Sequence, residues 1–320
     1  MAYTLQASQP SRSDATCQGA GALLAAGAFA FSGGRAPGGR VIPPPMARDK
    51  TDRASKSDEH NSRGIELADR GWLDEAIKEF KKAIELDPES AHAHDNLATV
   101  YSEKKLYREA LQEYLEALKL EPESATAHYN LACFLATHGQ DMAIDEYKEA
   151  IELDPEYPDA HLNLGMTYAD LDQREEAKVE FQAAIELDSA DPLARHELAA
   201  LLMDEGDYRA AIGQLKEAVR LEPENYEAHL DLGICYAQKG FYDEAEKCYG
   251  RARELDPDDV LLNYNVAALY ALWDKHDRAY EALKKALEKD ATKVRGWIAA
   301  DPMFEGLKGE PEFKALLSLQ

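Results

Sequence analysis

Five histidines recur at nearly constant intervals along this chain: His60, His94, His128, His161 and His229. Such a row could carry a metal ion or relay protons, but metal ligation needs neighbouring imidazoles to share a coordination sphere with bonds of about 2 Å. Helices that pack side by side are instead separated by about 8–10 Å. We therefore predict that the row holds no metal ion and no cofactor. We expect a packing position between neighbouring units, with a polar tip.

A second row of polar side chains lies two residues further along. Its members are Asn96, Asn130, Asn163 and Asn265, while Ser62, Glu197 and Asp231 occupy the same position elsewhere. An amide offers both a donor and an acceptor, so it can pair with a peptide backbone of any sequence. The alternative is that these asparagines only support the packing between adjacent helices. The sequence leaves both interpretations open.

Patterns typical of catalysis are missing from the sequence. His196-Glu197 lacks the second histidine of a metalloprotease helix, and the chain has no glycine-rich phosphate loop. The four cysteines make no CxxC pair. Cys17 lies near the N-terminus, and we expect the three that fall on predicted helices to be small apolar fillers: Cys133, Cys235 and Cys248. The sequence therefore predicts a protein that is not an enzyme.

Both polar rows follow from a repeat that organises most of the chain. The motif Leu86-Asp87-Pro88 returns as Leu120-Glu121-Pro122, Leu153-Asp154-Pro155, Leu221-Glu222-Pro223 and Leu255-Asp256-Pro257, with Leu187-Asp188-Ser189 in the remaining slot. A constant step of 34 residues, once 33, is the signature of a stacked array. Placing the proline slot near the end of each unit gives seven units: 57–90, 91–124, 125–157, 158–191, 192–225, 226–259 and 260–293.

Each unit contains two amphipathic helical patterns that face one another. Small residues such as Gly64 and Ala76 recur where the two helices must approach closely, and larger ones such as Phe80 fill the space between them. Four glycines lie between the helices, where we expect a left-handed residue to end the first helix: Gly71, Gly139, Gly206 and Gly240. The third unit is one residue short, which should tighten its turn without breaking the array.

These motifs resemble the tetratricopeptide repeat family, whose units are helix–turn–helix pairs of 34 residues ending in proline. The resemblance covers residues 57–293 and implies an all-α fold, a right-handed α-solenoid of seven units. The remaining segment, 294–320, contains Trp297, Phe304 and Phe313. We expect it to form capping helices over the last apolar face.

The resemblance also implies that the asparagine position faces the inner groove of the solenoid, where related proteins hold extended peptides. The residues then expected to contact a partner are Asn96, Asn130, Asn163, Asn265, Tyr129, Leu162, Met166, Leu230, Ile234 and Tyr264. The predicted groove also contains Asp95, Asp159, Asp170 and Asp204. It therefore suits a protein or peptide segment with apolar anchors and some Lys or Arg.

The net charge of −25 bears on the class of partner. Such a surface repels phosphate backbones and anionic membranes, so we expect no nucleic acid, and no apolar run is long enough to span a bilayer. The function predicted is a non-catalytic scaffold or adaptor. The alternatives are an accessory subunit or substrate-binding arm of an enzyme such as a glycosyltransferase, or a protein that self-assembles into homo-oligomers.

Residues 1–46 differ from the rest in composition, being rich in Ala, Gly, Ser and Pro and nearly free of acidic residues. We expect a leader with no structural role, either disordered or never translated if synthesis begins at Met46, followed by a polar lead-in over 47–56. A cytoplasmic location follows from this interpretation. The alternatives are an organellar transit peptide or export of the protein, if the leader is processed.

Overall fold

The computed structural model describes residues 45–137 and 139–318. Within these ranges the chain forms fifteen α-helices, one 3-10 turn and no strand, which confirms the all-α prediction. The helices are α1 (Pro45–Asp69), α2 (Leu73–Leu86), α3 (Ala91–Glu103), α4 (Tyr107–Leu120), α5 (Ala125–Ala136), α6 (Gln140–Leu153), α7 (Pro158–Asp170), α8 (Arg174–Leu187), α9 (Pro192–Asp204), α10 (Tyr208–Leu221), α11 (Tyr226–Gln238), α12 (Tyr242–Leu255), α13 (Val260–Leu272), α14 (His276–Ala300) and α15 (Pro311–Ser318).

The predicted leader lies outside the described residues as far as residue 44. Helix α1 already begins at Pro45, so the stretch 47–56, predicted as a lead-in, is helical. Consecutive helices pair as α1 with α2, α3 with α4 and α5 with α6, and the same pairing continues from α9 onwards. The described chain forms two compact bodies, of which the first ends at Glu180 and the second begins at Phe181, both within α8.

The helices begin where the sequence supplies acceptors for their free backbone N–H groups. Ser124, Asn225 and Asp259 accept from the amides of Ala127, Ala228 and Leu262 before α5, α11 and α13. Pro158 and Pro192 stand in the first turns of α7 and α9, where proline loses no hydrogen bond. The first helices of the units therefore start where local chemistry specifies.

The turn between the two helices of a unit needs one residue with positive φ. Gly71, Gly206 and Gly240 adopt it at 76°, 81° and 76°, as predicted. The prediction for Gly139 is wrong, because its φ is −172° and it precedes α6 in extended backbone. The third unit lacks one residue, so this glycine stands one position later in its turn. In the three units without a glycine here, the residue with positive φ is Lys105, Asp172 or Asp274.

Close approach inside a unit explains two further glycines. A Cβ atom on Gly64 would lie 2.5 Å from the Phe80 ring, and one on Gly233 would lie 2.4 Å from the Tyr249 ring. Both aromatic side chains are buried. The predicted small-against-large packing of the paired helices is therefore observed at these positions.

The second helices end in a shared backbone conformation. Asp87, Asp154 and Asp256 follow α2, α6 and α12 with φ of −136°, −134° and −135°. Asp290 holds the equivalent slot with φ −148° and ψ 85°, and it interrupts α14. The chain beyond it, residues 291–318, comprises the end of α14, the 3-10 turn Pro302–Phe304 and α15. We call these residues the C-terminal segment.

Candidate functional site

The histidine row joins the two helices of each of the first four units. His60, His94, His128 and His161 each place Nδ1 at 2.6 to 2.7 Å from a carboxylate oxygen on the second helix of the same unit. The partners are Glu79, Glu113, Glu146 and Glu180. These Nδ1 contacts lie inside one unit. The ring also reaches the preceding unit, where His128 Nε2 lies 3.2 Å from the carbonyl of Pro122, so the predicted packing between neighbouring units is observed there.

The sequence carried a signal for these pairs. Glutamate follows histidine by 19 residues in three units, and by 18 in the short third unit. Cys248 stands in the glutamate slot opposite the histidine slot of the sixth unit, where His229 Nε2 instead lies 3.0 Å from the carbonyl of Pro223. The hydrogen bond that His94 donates to Glu113 raises the pKa of His94; burial opposes this rise, and a hydrogen bond to the Pro88 carbonyl adds to it.

The asparagine row joins the first helices of neighbouring units. Asn96 Nδ2 donates to Asn61 Oδ1 over 3.0 Å, and Asn163 Nδ2 donates to the Tyr129 hydroxyl over 2.8 Å. Asn130 Nδ2 donates to Asp95 Oδ2 in the same way. Three of the predicted binding residues thus have the packing contact that was the alternative interpretation. Each amide still has a second N–H and a carbonyl.

Burial divides the residues predicted for the groove of the first body. Asn96, Asn163, Tyr129, Leu162 and Met166 are buried. Asn130 is partly exposed, as are Asn61 and Asp95, the acceptors from the preceding helices. The accessible edge of this surface is therefore made of Asn61, Asp95 and Asn130, and we call these three residues the polar edge.

Asp95 has the most unusual environment in the polar edge. Its Oδ2 accepts from Asn130, while its Oδ1 is shielded from solvent and accepts no hydrogen bond from any described residue. Burial raises the pKa of Asp95 to about 7, and the hydrogen bond from Asn130 partly offsets the rise. The carboxyl group is consequently poised between its neutral and charged forms near neutral pH.

In the second body, the predicted groove residues are covered by the chain itself. The Tyr264 hydroxyl donates to Asp301 over 2.6 Å, and its ring lies 5.0 Å from Trp297 and 5.4 Å from Phe304 between centroids. Ile234 and Asn265 line a small cavity together with Met303 of the C-terminal segment. Leu230 is buried in the same core. These four positions are part of the packed interior.

No disulfide bond joins the cysteines of the described residues. Cys133 and Cys235 are buried, and burial raises the pKa of Cys235 well above its ordinary value. Cys248 is partly buried, and burial raises its pKa to about 11. Nucleophilic chemistry requires the thiolate, which burial disfavours at Cys235 and Cys248, while Cys133 Sγ accepts a hydrogen bond from the Tyr147 hydroxyl over 3.5 Å. Cys17 lies outside the described residues.

The described part of the chain contains neither a cluster of metal ligands nor a helix that could span a membrane. No three His, Cys, Asp or Glu side chains between residues 45 and 318, residue 138 excluded, come together in a group that could hold a metal ion. None of the helices described there combines the length and the apolar composition that crossing a bilayer requires.

Comparison with solved structures gives relatives of the same architecture. The structure of pilF from Pseudomonas aeruginosa is 25% identical, with a TM-score of 0.60, and the match covers 65% of this chain and 96% of that one. YrrB, described as a TPR protein with an unusual peptide-binding site, is 26% identical with a TM-score of 0.54, over 58% of this chain and 96% of that one. PilW, a type IV pilus biogenesis factor, shares the fold at 20% identity and a TM-score of 0.57, over 63% and 94%.

A search of curated proteins found no match. The family models described as TPR repeat and tetratricopeptide repeat match residues 64–105, 100–139, 140–172, 158–191 and 202–271, more than half of the chain. The matched segments contain most of the paired helices, left-handed turns and hydrogen-bonded rows described above. The chain belongs to the tetratricopeptide repeat family.

Proposed function

We propose that this protein is a non-catalytic scaffold that holds an extended partner segment against the first helices α1, α3, α5 and α7, along the polar edge. Repeats of this family form scaffolds for protein interactions, and this chain is one of them. The identity of the surface is the new element of the proposal. It assigns the partner to the first body and not to the covered positions of the second.

The observation that carries the proposal is the preformed hydrogen bonding of the polar edge. Asn130 is held by Asp95, and Asn61 is held by Asn96, while all three edge residues remain partly exposed. Side chains whose conformation is already set lose less entropy when a ligand arrives. Their unused donors and acceptors can pair with the main chain of an extended segment.

Charge defines the partner further. The chain has 61 acidic against 36 basic residues; Asp95 belongs to the polar edge, and Asp159 lies on the next first helix, α7. A segment with Lys or Arg and a few apolar anchors is therefore complementary. The likeness to YrrB, which has a peptide-binding site according to its description, supports a peptide ligand at 26% identity.

Site-specific photocrosslinking in the native extract tests the proposal. Ser102 lies one heptad after Asp95 on α3, is partly exposed and shares its face, so a photoreactive residue there leaves the polar edge intact. Leu115 on the second helix α4 is 51% exposed and serves as the control. We expect protein adducts from position 102 that diminish as salt slows association, and none from position 115. Adducts from position 115 alone would overturn the proposal.

A further inference from the structure

Asp95 differs from every residue that occupies its slot in the other units. The equivalent positions hold Asn61, Tyr129, Leu162, His196, Leu230 and Tyr264. A carboxylate therefore occurs once in this row, in the second unit. If this carboxylate selects a residue of a bound segment, it selects one residue only. That single contact would also fix the register of the segment along the helices.

The surroundings of Asp95 supply no counter-charge. Among the described residues, the Asn130 amide is the one group that lowers the pKa of Asp95. The groups shown to interact with it from neighbouring elements are neutral. Asn130 on α5 donates to Oδ2, and Tyr157, which directly precedes α7, lies within range of its charge. Burial is the main reason why the pKa of Tyr157 is raised, and the charges of Asp159 and Asp95 add to the rise.

An unpaired carboxylate in such a site is costly. A buried charge without a partner is unfavourable, and an unfilled acceptor adds to the penalty. The Oδ1 atom of Asp95 is in this position, while the residue as a whole remains partly exposed. The partly exposed side of the carboxyl group is where an arriving donor can approach it. A cation brought by a ligand would remove the penalty.

We propose that Asp95 receives the ammonium or guanidinium group of one Lys or Arg side chain of the bound segment and determines the preference for that residue. This inference rests on the function proposed above. Asn130 positions the carboxylate, and the neighbouring amides pair with the main chain on either side of the basic residue. The partner is thus a segment with a basic residue at one defined position.

The assignment makes binding depend on pH. The cation needs the charged form of Asp95, whose pKa of about 7 leaves it half protonated in the free protein near neutrality. Affinity should rise about tenfold between about pH 6 and about pH 8, as the charged fraction rises. A proton is released on binding, because the cation lowers the pKa of the carboxyl group.

Selection of random short peptides displayed on phage, against the full chain, provides the probe. We expect selected peptides to share one Lys or Arg. Selection against Asp95→Asn should lose this preference. Glu103→Gln is the matched control, because it removes one negative charge from an exposed position of the same helix and should leave the preference unchanged.

A double-mutant cycle by calorimetry then measures the pair. Replacing the shared basic residue of a selected peptide by Gln should weaken binding to the wild type about tenfold or more, and should change little for Asp95→Asn. The pH dependence should vanish in Asp95→Asn. Selected peptides that crosslink to a photoreactive residue at position 102 but share no Lys or Arg would overturn this inference and leave the proposed function standing. Failure to select any peptide, together with no adduct at position 102, would overturn both.

Discussion

The positions of Asp95 and of the asparagine row differ in their surroundings between the two bodies. In α3, α5 and α7, asparagines bond to the preceding helix and leave a partly exposed polar edge. In α13 the same slots hold Tyr264 and Asn265, and the C-terminal segment is packed at them. A position in this family is therefore a binding surface or an interior position depending on what covers it.

Asn163 and Asn265 show the difference most clearly, since they share one slot. Asn163 is 6% exposed and donates to Tyr129, while Asn265 is 2% exposed and its Nδ2 has no partner among the described residues. The first amide supports the packing of its neighbour. The second is an unfilled donor in an otherwise apolar environment, which costs free energy.

The largest effect is expected from a substitution in the C-terminal segment, which covers these positions in the second body. Phe304→Ala removes a fully buried ring of the C-terminal segment and should lower the free energy of unfolding of the second body by about 3–5 kcal/mol. Tyr264 should become exposed, and hydrogen exchange in α13 should accelerate. Urea unfolding gives the energy. Phe241→Ala, at an aromatic that is 52% exposed in the same body, is the control; equal losses would contradict a packed cover.

The next effect concerns the polar edge. Because burial raises the folded-state pKa of Asp95 to about 7, the unfolded chain gives up this proton first as pH rises. Stability should therefore fall, by about 2 kcal/mol between about pH 5.5 and about pH 8 from this group. Asp95→Asn should remove that part of the pH dependence, as followed by urea unfolding across the range. If the substitution leaves the pH dependence of the unfolding free energy unchanged, the carboxyl group is exposed to water and its pKa is not raised.

A smaller effect should separate the two asparagines. Asn163→Leu leaves the buried Tyr129 hydroxyl without its donor and should cost about 1–3 kcal/mol. Asn265→Leu removes an amide whose nitrogen has no partner and should change stability by less than about 1 kcal/mol. Chemical unfolding of both variants checks the difference. Equal costs would mean that the hydrogen bond to Tyr129 contributes little.

The smallest effect lies in the histidine pairs. The pKa of His94 is raised by Glu113, so the pair stabilises the fold fully below the unfolded pKa of about 6.5, and this contribution is lost as pH rises through the folded pKa. Glu113→Gln should lower the free energy of unfolding by about 1 kcal/mol at about pH 5.5 and by less at about pH 8. His229→Gln, in a unit whose glutamate slot holds Cys248, should show no such trend.

Much of the fold was readable from the sequence, because the repeat reports local chemistry. The caps, the proline slots and the alternation of small and large residues each concern neighbours along one helix or helix pair. The spacing of 18 or 19 residues between each histidine and its glutamate is also visible in the sequence, and it predicts the pairs once the facing helix of the same unit is considered. Gly139 was misjudged because a deletion shifts the residues that follow it by one position.

The site was less predictable, for a physical reason. The sequence by itself determined the helices, their pairing and the row in which the asparagines stand, because these follow from period and side-chain size. Only the tertiary structure decided which of these amides are satisfied by a neighbour, that Asp95 holds an unpaired oxygen, and that Tyr264 and Asn265 are interior. Burial and hydrogen bonding depend on residues 34 or more positions away in the chain, and the period of a repeat does not encode them.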